Sequence, residues 1–274
     1  MSTRPVARDR FVTVNGLRLR YRDWGGPGPP FLALHGSAAH AHWWDPVAPH
    51  LVGRVRVLAL DLRGHGRSAW PDPPAYGTED FAADLLGVIE RLRLERVIVA
   101  GHSMGGHPAM AFAAWHPDRL ARLVVLDTKP RVKMRRLRAF QERAARRRVE
   151  FPTRPAALAR FRLRPPGTIA PPALLRAVGG RGIGRHPSGR WVYRFDPACD
   201  RTRVPIDLWP LLRRITVPTL IVRGEHSLVL PPDVALRMAK AIPSARLEEV
   251  PAAHHHVTLD APRALADCLL AWLG

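Results

Sequence analysis

Apolar residues along the chain fall into short runs that alternate with longer, helically spaced segments. Two runs open the chain, residues 10–14 (Arg-Phe-Val-Thr-Val) and 17–21 (Leu-Arg-Leu-Arg-Tyr). Asn15-Gly16 between them is a two-residue hairpin signal, because both residue types tolerate positive φ. Residues 31–34, 55–60, 97–100, 123–126 and 219–222 are then short and largely apolar, each ending in a polar or glycine-rich turn. Such runs suit parallel strands buried on both faces. Between them, residues 78–81 (Thr-Glu-Asp-Phe) offer an N-cap to a helix that continues to Leu94, with Phe81, Leu85, Val88, Ile89 and Leu92 at helical spacing. Residues 109–115, 234–242 and 264–273 read the same way. Strands alternating with helices predict an α/β fold with a mainly parallel, doubly wound sheet, entered through an N-terminal antiparallel hairpin.

One stretch breaks the alternation. Residues 129–214 show no clean strand, while prolines recur and arginines are dense, as in Arg135-Arg136, Arg146-Arg147-Arg148 and residues 160–164. Helical pieces broken by Pro and Gly are expected here, folded as a cap over the sheet's C-terminal edge, where open α/β sheets bind ligands. A disordered basic loop is the competing reading. The expected division is a core of residues 1–128 and 215–274 with an inserted helical, arginine-rich cap of residues 129–214. No internal repeat is visible.

Composition narrows the picture. The 274 residues are 46% hydrophobic, enough for one sizeable α/β unit. No apolar stretch approaches the roughly 18 residues of a membrane-spanning helix. The basic first ten residues lead into no apolar core, so a secretory signal is not expected and a cytoplasmic location is. Cys199 and Cys268 allow at most one disulfide, and two free thiols are the simpler expectation. Charge is the outlier: 43 basic residues against 23 acidic give +20, with lysine only at 129, 133 and 240. The arginine excess runs from Arg4 to Arg263, as a GC-rich coding bias would produce. It peaks over residues 129–164, where two lysines and twelve arginines face only Glu142 and Glu150. A protein binding nucleic acid or an anionic membrane would suit that charge. No helix-turn-helix, RNA-binding or zinc-finger pattern accompanies it, so nucleic acid is not an expected partner. An anionic small-molecule substrate steered by the cap is.

The strongest local signal is Gly101-His-Ser-Met-Gly105, followed by Gly106. It sits after one apolar run and before a helical pattern, the context that a G-x-S-x-G nucleophile turn requires. Ser103 needs a sharp turn with small residues on both sides, and the helix start supplies backbone donors where negative charge develops. His35-Gly36-Ser37 ends an earlier strand, in the place that supplies a second such donor. The two oxyanion donors are therefore assigned to the backbone N–H groups of Ser37 and Met104. Residues 61–68 (Asp-Leu-Arg-Gly-His-Gly-Arg-Ser) read as a structural glycine-rich turn near the pocket.

With His35-Gly36, residues 61–68, Gly101 to Gly106, the late run 219–224 and a C-terminal histidine in this order, the sequence resembles the α/β-hydrolase fold family over essentially its whole length. The resemblance implies a Ser–acid–His triad in that chain order, an oxyanion hole and an inserted cap. Among His254, His255 and His256, the family's spacing after Pro251 selects His255 as the base. Three adjacent histidines also invite a metal reading, but neighbouring side chains cannot all converge on one ion and no Cys or carboxylate cluster joins them, so no metal is expected. The acid departs from the family pattern. Its usual place, three residues after the glycine that ends the late strand, holds Ser227. Asp127, at a strand end that some relatives use, is preferred, with Glu225 as the alternative.

A serine in this place, rather than the Asp of relatives that open epoxides or displace halide, implies acyl transfer without a cofactor. The expected reaction is hydrolysis of a small carboxylic ester, thioester or lactone. Carbon–carbon bond hydrolysis of a diketone would use the same residues, and a non-catalytic ligand- or polyanion-binding member of the fold is the alternative of another class. Trp43, Trp44, Trp191, Tyr193, Phe195 and Trp209 are read mainly as packing aromatics, with an acyl pocket as their other use.

Overall fold

The expected strands assemble into one eight-stranded sheet in a computed structural model, which describes residues 5–132, 134–144 and 149–274. β1 (Arg8–Val14) and β2 (Leu17–Gly25) pair antiparallel with Val14 opposite Leu17, and Asn15 and Gly16 adopt φ of 48° and 73°, as the two-residue turn demands. β3 (Pro30–Leu34), β4 (Arg56–Leu60), β5 (Val97–His102) and β6 (Leu120–Leu126) follow. A separate pair, β7 (Ile183–Arg185) and β8 (Trp191–Tyr193), precedes β9 (Thr219–Gly224) and β10 (Ala245–Val250). The main sheet runs β1-β2-β4-β3-β5-β6-β9-β10, parallel from β4 onward. β10 escaped the sequence reading because it is an edge strand carrying Arg246, Glu248 and Glu249.

The strand order positions the site. From β3 the chain moves outward to β4, then returns to β5 on the other side of β3. Loops leaving β3 and β5 therefore diverge and open a crevice at their C-terminal ends. Those loops carry His35 to Ser37 and His102 to Met104.

The helices are α1 (Ala48–Leu51), α2 (Thr78–Arg91), α3 (Gly106–Trp115), α4 (Met134–Ala144), α5 (Arg154–Ala159), α6 (Pro172–Arg181), α7 (Pro197–Thr202), α8 (Pro232–Ala241), α9 (Val257–Asp260) and α10 (Pro262–Leu273). One apolar core lies between the sheet and α2, α3 and α8, the other between the sheet and α1 and α10. α3 is buried from Gly106 to Ala114, enclosed by β5, β6 and α2, so it needs no polar face. The N-cap of α2 is Gly77 rather than Thr78. The Gly77 N–H donates to Asp80 Oδ2 at 2.7 Å, while Thr78 is buried in the first turn.

Between β6 and β9 the described chain is ordered, with α4 to α7 and the β7–β8 hairpin. This corrects the expectation of no strand. Each strand has only three residues, too few to show alternation. The segment is stitched to the loop after β4: Gly66 N–H donates to Arg194 O (2.9 Å), Asp196 N–H to Gly64 O (2.8 Å) and Tyr76 Oη–H to Asp196 Oδ2 (2.6 Å). Arg4, Lys133 and Arg146-Arg147-Arg148 lie outside the described residues. Cys199 is buried, Cys268 is half-buried, and they are not joined. Among the described residues no helix is long and apolar enough to cross a membrane.

Candidate active site

Ser103 stands where β5 must stop and α3 begin three residues later. Its φ of 53° lies in the left-handed region, where a residue with a side chain carries about 1–3 kcal/mol of strain. Close packing explains the flanking glycines. A Cβ on Gly101 would lie 2.4 Å from Gly105 O, and one on Gly105 would lie 2.7 Å from His35 O. Thr128, just beyond β6, holds the turn by donating its hydroxyl to Ser103 O at 2.9 Å.

His255 Nε2 lies 2.9 Å from Ser103 Oγ, and His255 Nδ1 lies 2.8 Å from Asp127 Oδ1. The carboxylate can only accept, so Nδ1 carries the proton and Nε2 presents its lone pair to the hydroxyl. Asp127 follows β6 with φ of 47°, its N–H donating to Val222 O on β9 at 2.7 Å. Ser227 Oγ–H donates to its Oδ1 (2.6 Å) and Gly224 N–H to its Oδ2 (3.0 Å). Burial pushes the Asp127 carboxyl up and these two donors oppose it, leaving it at about 6, so it is mainly ionised at neutral pH. Ser227, standing where the family pattern has Asp, thus supports a carboxylate that arrives from the neighbouring strand. Glu225, the alternative acid, is exposed and accepts from Ala252 N–H at 2.7 Å, away from His255.

The three adjacent histidines make different contacts. His254 N–H donates to Asp260 Oδ2 (2.9 Å) and His256 Nε2–H to Pro165 O (2.8 Å). His102 was not singled out from the sequence, yet its Nε2–H donates to His255 O at 2.8 Å and so fixes the histidine loop. Burial pulls the His102 imidazole down to about 3, so it stays neutral. His102, His255 and His256 bring a ring nitrogen each within 4.8 Å of one another, the one metal-like group among the described residues. Both ring nitrogens of His255 and the Nε2 atoms of His102 and His256 are already engaged in hydrogen bonds.

The loop after β3 passes directly over Ser103: a Cβ on Gly36 would lie 3.2 Å from Ser103 Cβ. Ser37 and Met104 both line the cavity that Ser103 faces. The cavity holds about 850 Å³ and is lined by Ser103, His255 and His102 together with Arg164, Tyr193 and Arg203 from the β6–β9 segment. The two tryptophans separate. Trp44 is fully buried against Phe31, whereas Trp43 lines the cavity beside His102 and His256. Tyr193 and Phe195 line it too, while Trp191 packs with Phe151 and Ile183, and Trp209 packs against the core.

Residues 31–268 match the model of the alpha/beta hydrolase family. A 2-(acetamidomethylene)succinate hydrolase of Mesorhizobium japonicum is 29% identical over 94% of this chain and 93% of its own. An esterase of Mycobacterium tuberculosis is 32% identical over 96% of this chain and 87% of its own. The solved structure of an E-2-(acetamidomethylene)succinate hydrolase superposes with a TM-score of 0.87 at 27% identity, covering 98% of this chain and 99% of the other. These relatives are hydrolases, which sets aside the non-catalytic reading. The chain belongs to the alpha/beta hydrolase family and is an enzyme.

Proposed function

We propose that this enzyme hydrolyses a small, anionic carboxylic ester, thioester or lactone through an acyl-enzyme on Ser103. The observation that carries this reading is the unbroken hydrogen-bonded line Ser103–His255–Asp127 at 2.9 and 2.8 Å on a cavity wall. His255 Nε2 takes the Ser103 proton as Oγ attacks the acyl carbon, and the Ser37 and Met104 N–H groups receive the oxyanion. The intermediate then collapses with loss of the alkoxide or thiolate, and the His255 imidazolium gives it the proton, so it leaves as an alcohol or thiol. Water attacks the acyl-enzyme by the same route in reverse. Asp127 holds Nδ1–H and stabilises the imidazolium. Residues 129–214 act as the cap that closes the pocket and selects the substrate. No step requires a metal or cofactor.

Cationic lining supports the anionic character. Lys129, Arg131, Arg135, Arg160, Arg162, Arg164, Arg194 and Arg203 all border the cavity, against Asp200 on the cap side. A relative named for a substituted succinate, a dicarboxylate, is in keeping with that. The test is direct. A fluorophosphonate probe labels the parent protein, short-chain p-nitrophenyl esters turn over, and Ser103→Ala abolishes both. Labelling that survives Ser103→Ala would end this reading.

A further inference from the structure

Arg203 differs from the other cationic side chains around the cavity. It follows α7, is only 9% exposed, and makes no hydrogen bond or ion pair among the described residues. Arg131 pairs with Asp207, Arg162 donates to the carbonyls of Ala159 and Phe161, and Arg194 donates to Ile183 O. Arg135, Arg160 and Arg164 are exposed at the mouth, where water solvates them. The stem of Arg203 is packed away while its guanidinium stays open to the cavity, where a ligand can reach the N–H donors.

Its neighbours do not neutralise it. His107, on the first turn of α3, is buried and neutral, with its Nδ1 lacking a partner. Asp200, on the same helix, accepts from Ser37 Oγ–H at 3.4 Å. Arg203, Met104 and His107 line both the main cavity and a small recess beside it. Arg203 therefore shares its part of the lining with Met104 and the start of α3, while Trp43, Leu163 and His256 are lining residues that do not border the recess. A substrate with its acyl carbon at Ser103 meets apolar side chains in one part of the lining and, in another, a guanidinium that has no partner among the described residues and is open to the cavity.

We infer that Arg203 is the binding partner of a substrate carboxylate, so the substrate class is a carboxylate-bearing ester, thioester or lactone. This rests on the acyl-transfer reading above. The mouth arginines draw the anion in, and Arg203 fixes its orientation with paired N–H donors. A substrate carboxylate would give this guanidinium the paired acceptor it lacks among the described residues, and that couples binding to selection against neutral analogues.

The experiment compares mono-p-nitrophenyl glutarate with its methyl ester, and para-acetoxybenzoate with its methyl ester. These place the carboxylate on the acyl side and on the leaving-group side. The parent enzyme is expected to prefer at least one acid over its methyl ester. Arg203→Met, which keeps volume but removes charge, should lower kcat/KM on that acid on the order of 100-fold. It should leave the methyl ester little changed. Arg203→Lys should restore part of the loss. Thermal unfolding supplies a second readout: removing an unpaired buried charge holds or raises the Tm of the free protein, whereas a structural arginine would lower it. Equal losses on acid and methyl ester, or no loss on either acid, would overturn the inference. Ser103-dependent turnover of the methyl esters by the parent protein tests the hydrolase reading separately.

Discussion

Replacing Asp127 with Asn removes one charge and changes almost no volume, yet the surrounding donors make its effect severe. Gly224 N–H donates to Oδ2 and cannot reverse its polarity. An Asn side chain therefore keeps its carbonyl oxygen on that side and turns its NH2 toward His255 Nδ1 and Ser227 Oγ. An amide donor facing Nδ1 forces the proton of His255 onto Nε2, the nitrogen that must accept from Ser103. The wrong tautomer is then the stable one. Loss of the orienting charge together with the tautomer is expected to lower kcat by about 10⁴-fold, or about 5.5 kcal/mol of transition-state stabilisation. Steady-state hydrolysis of a p-nitrophenyl ester by the parent, Asp127→Asn and Glu225→Gln measures it, with near-native far-UV circular dichroism as the folding control. Glu225→Gln should be nearly silent, since Glu225 is exposed and bonded to Ala252 N–H. The exchange Asp127→Ser with Ser227→Asp adds a sharper arm. Ser227 Oγ lies 2.6 Å from the oxygen that holds His255, so a carboxylate moved there should recover roughly tenfold or more over Asp127→Ser alone. If Asp127→Asn retained rates within about tenfold of the parent, or Glu225→Gln lost as much as Asp127→Asn, the reasoning would fail.

Two pH dependences follow from burial. Asp127 ionises at about 6, and only its carboxylate holds His255 in the required tautomer, so kcat/KM for a neutral ester should rise with pH through an apparent pair value near there and then level off. A profile flat down to pH about 5 would contradict this. Stability should move the same way: His35 is pulled down to about 4 and His40, His65, His102 and His107 to about 3, all by burial. Below about pH 6.5 the unfolded chain takes up a proton at each while the fold does not, so stability is lost as pH falls. Asp127 opposes by one proton between about 6 and 3.8, leaving a slope of up to roughly 5 kcal/mol per pH unit near pH 5. Urea midpoints at pH 7.5, 6 and 5 check it, and an unchanged midpoint would refute it.

Features encoded within a few adjacent residues were legible in the sequence. Asn15-Gly16 makes its hairpin because two consecutive positive-φ residues suffice for that turn. Ser103 was legible because its strain is relieved by glycines only two positions away, between a buried run and a helix. The proposed base needed the family's spacing, since nothing local separates His255 from its two neighbours.

The sequence alone determined the α/β alternation, the N-terminal hairpin, the turn bearing Ser103 and the interruption after residue 128. Apolar runs, glycines and prolines act through the backbone at short range. The tertiary structure decided which carboxylate reaches His255, since Asp127 and Glu225 differ by the strand they follow and by how β6 and β9 register. It decided that Trp43 faces the cavity while Trp44 packs in the core, and that Arg203 lines the cavity with no partner among the described residues. Those outcomes depend on the strand order around β3 and on how the β6–β9 segment folds back over the sheet. Such contacts join residues far apart in sequence, and burial, which sets the charge state of Asp127 and the isolation of Arg203, exists only once they have formed.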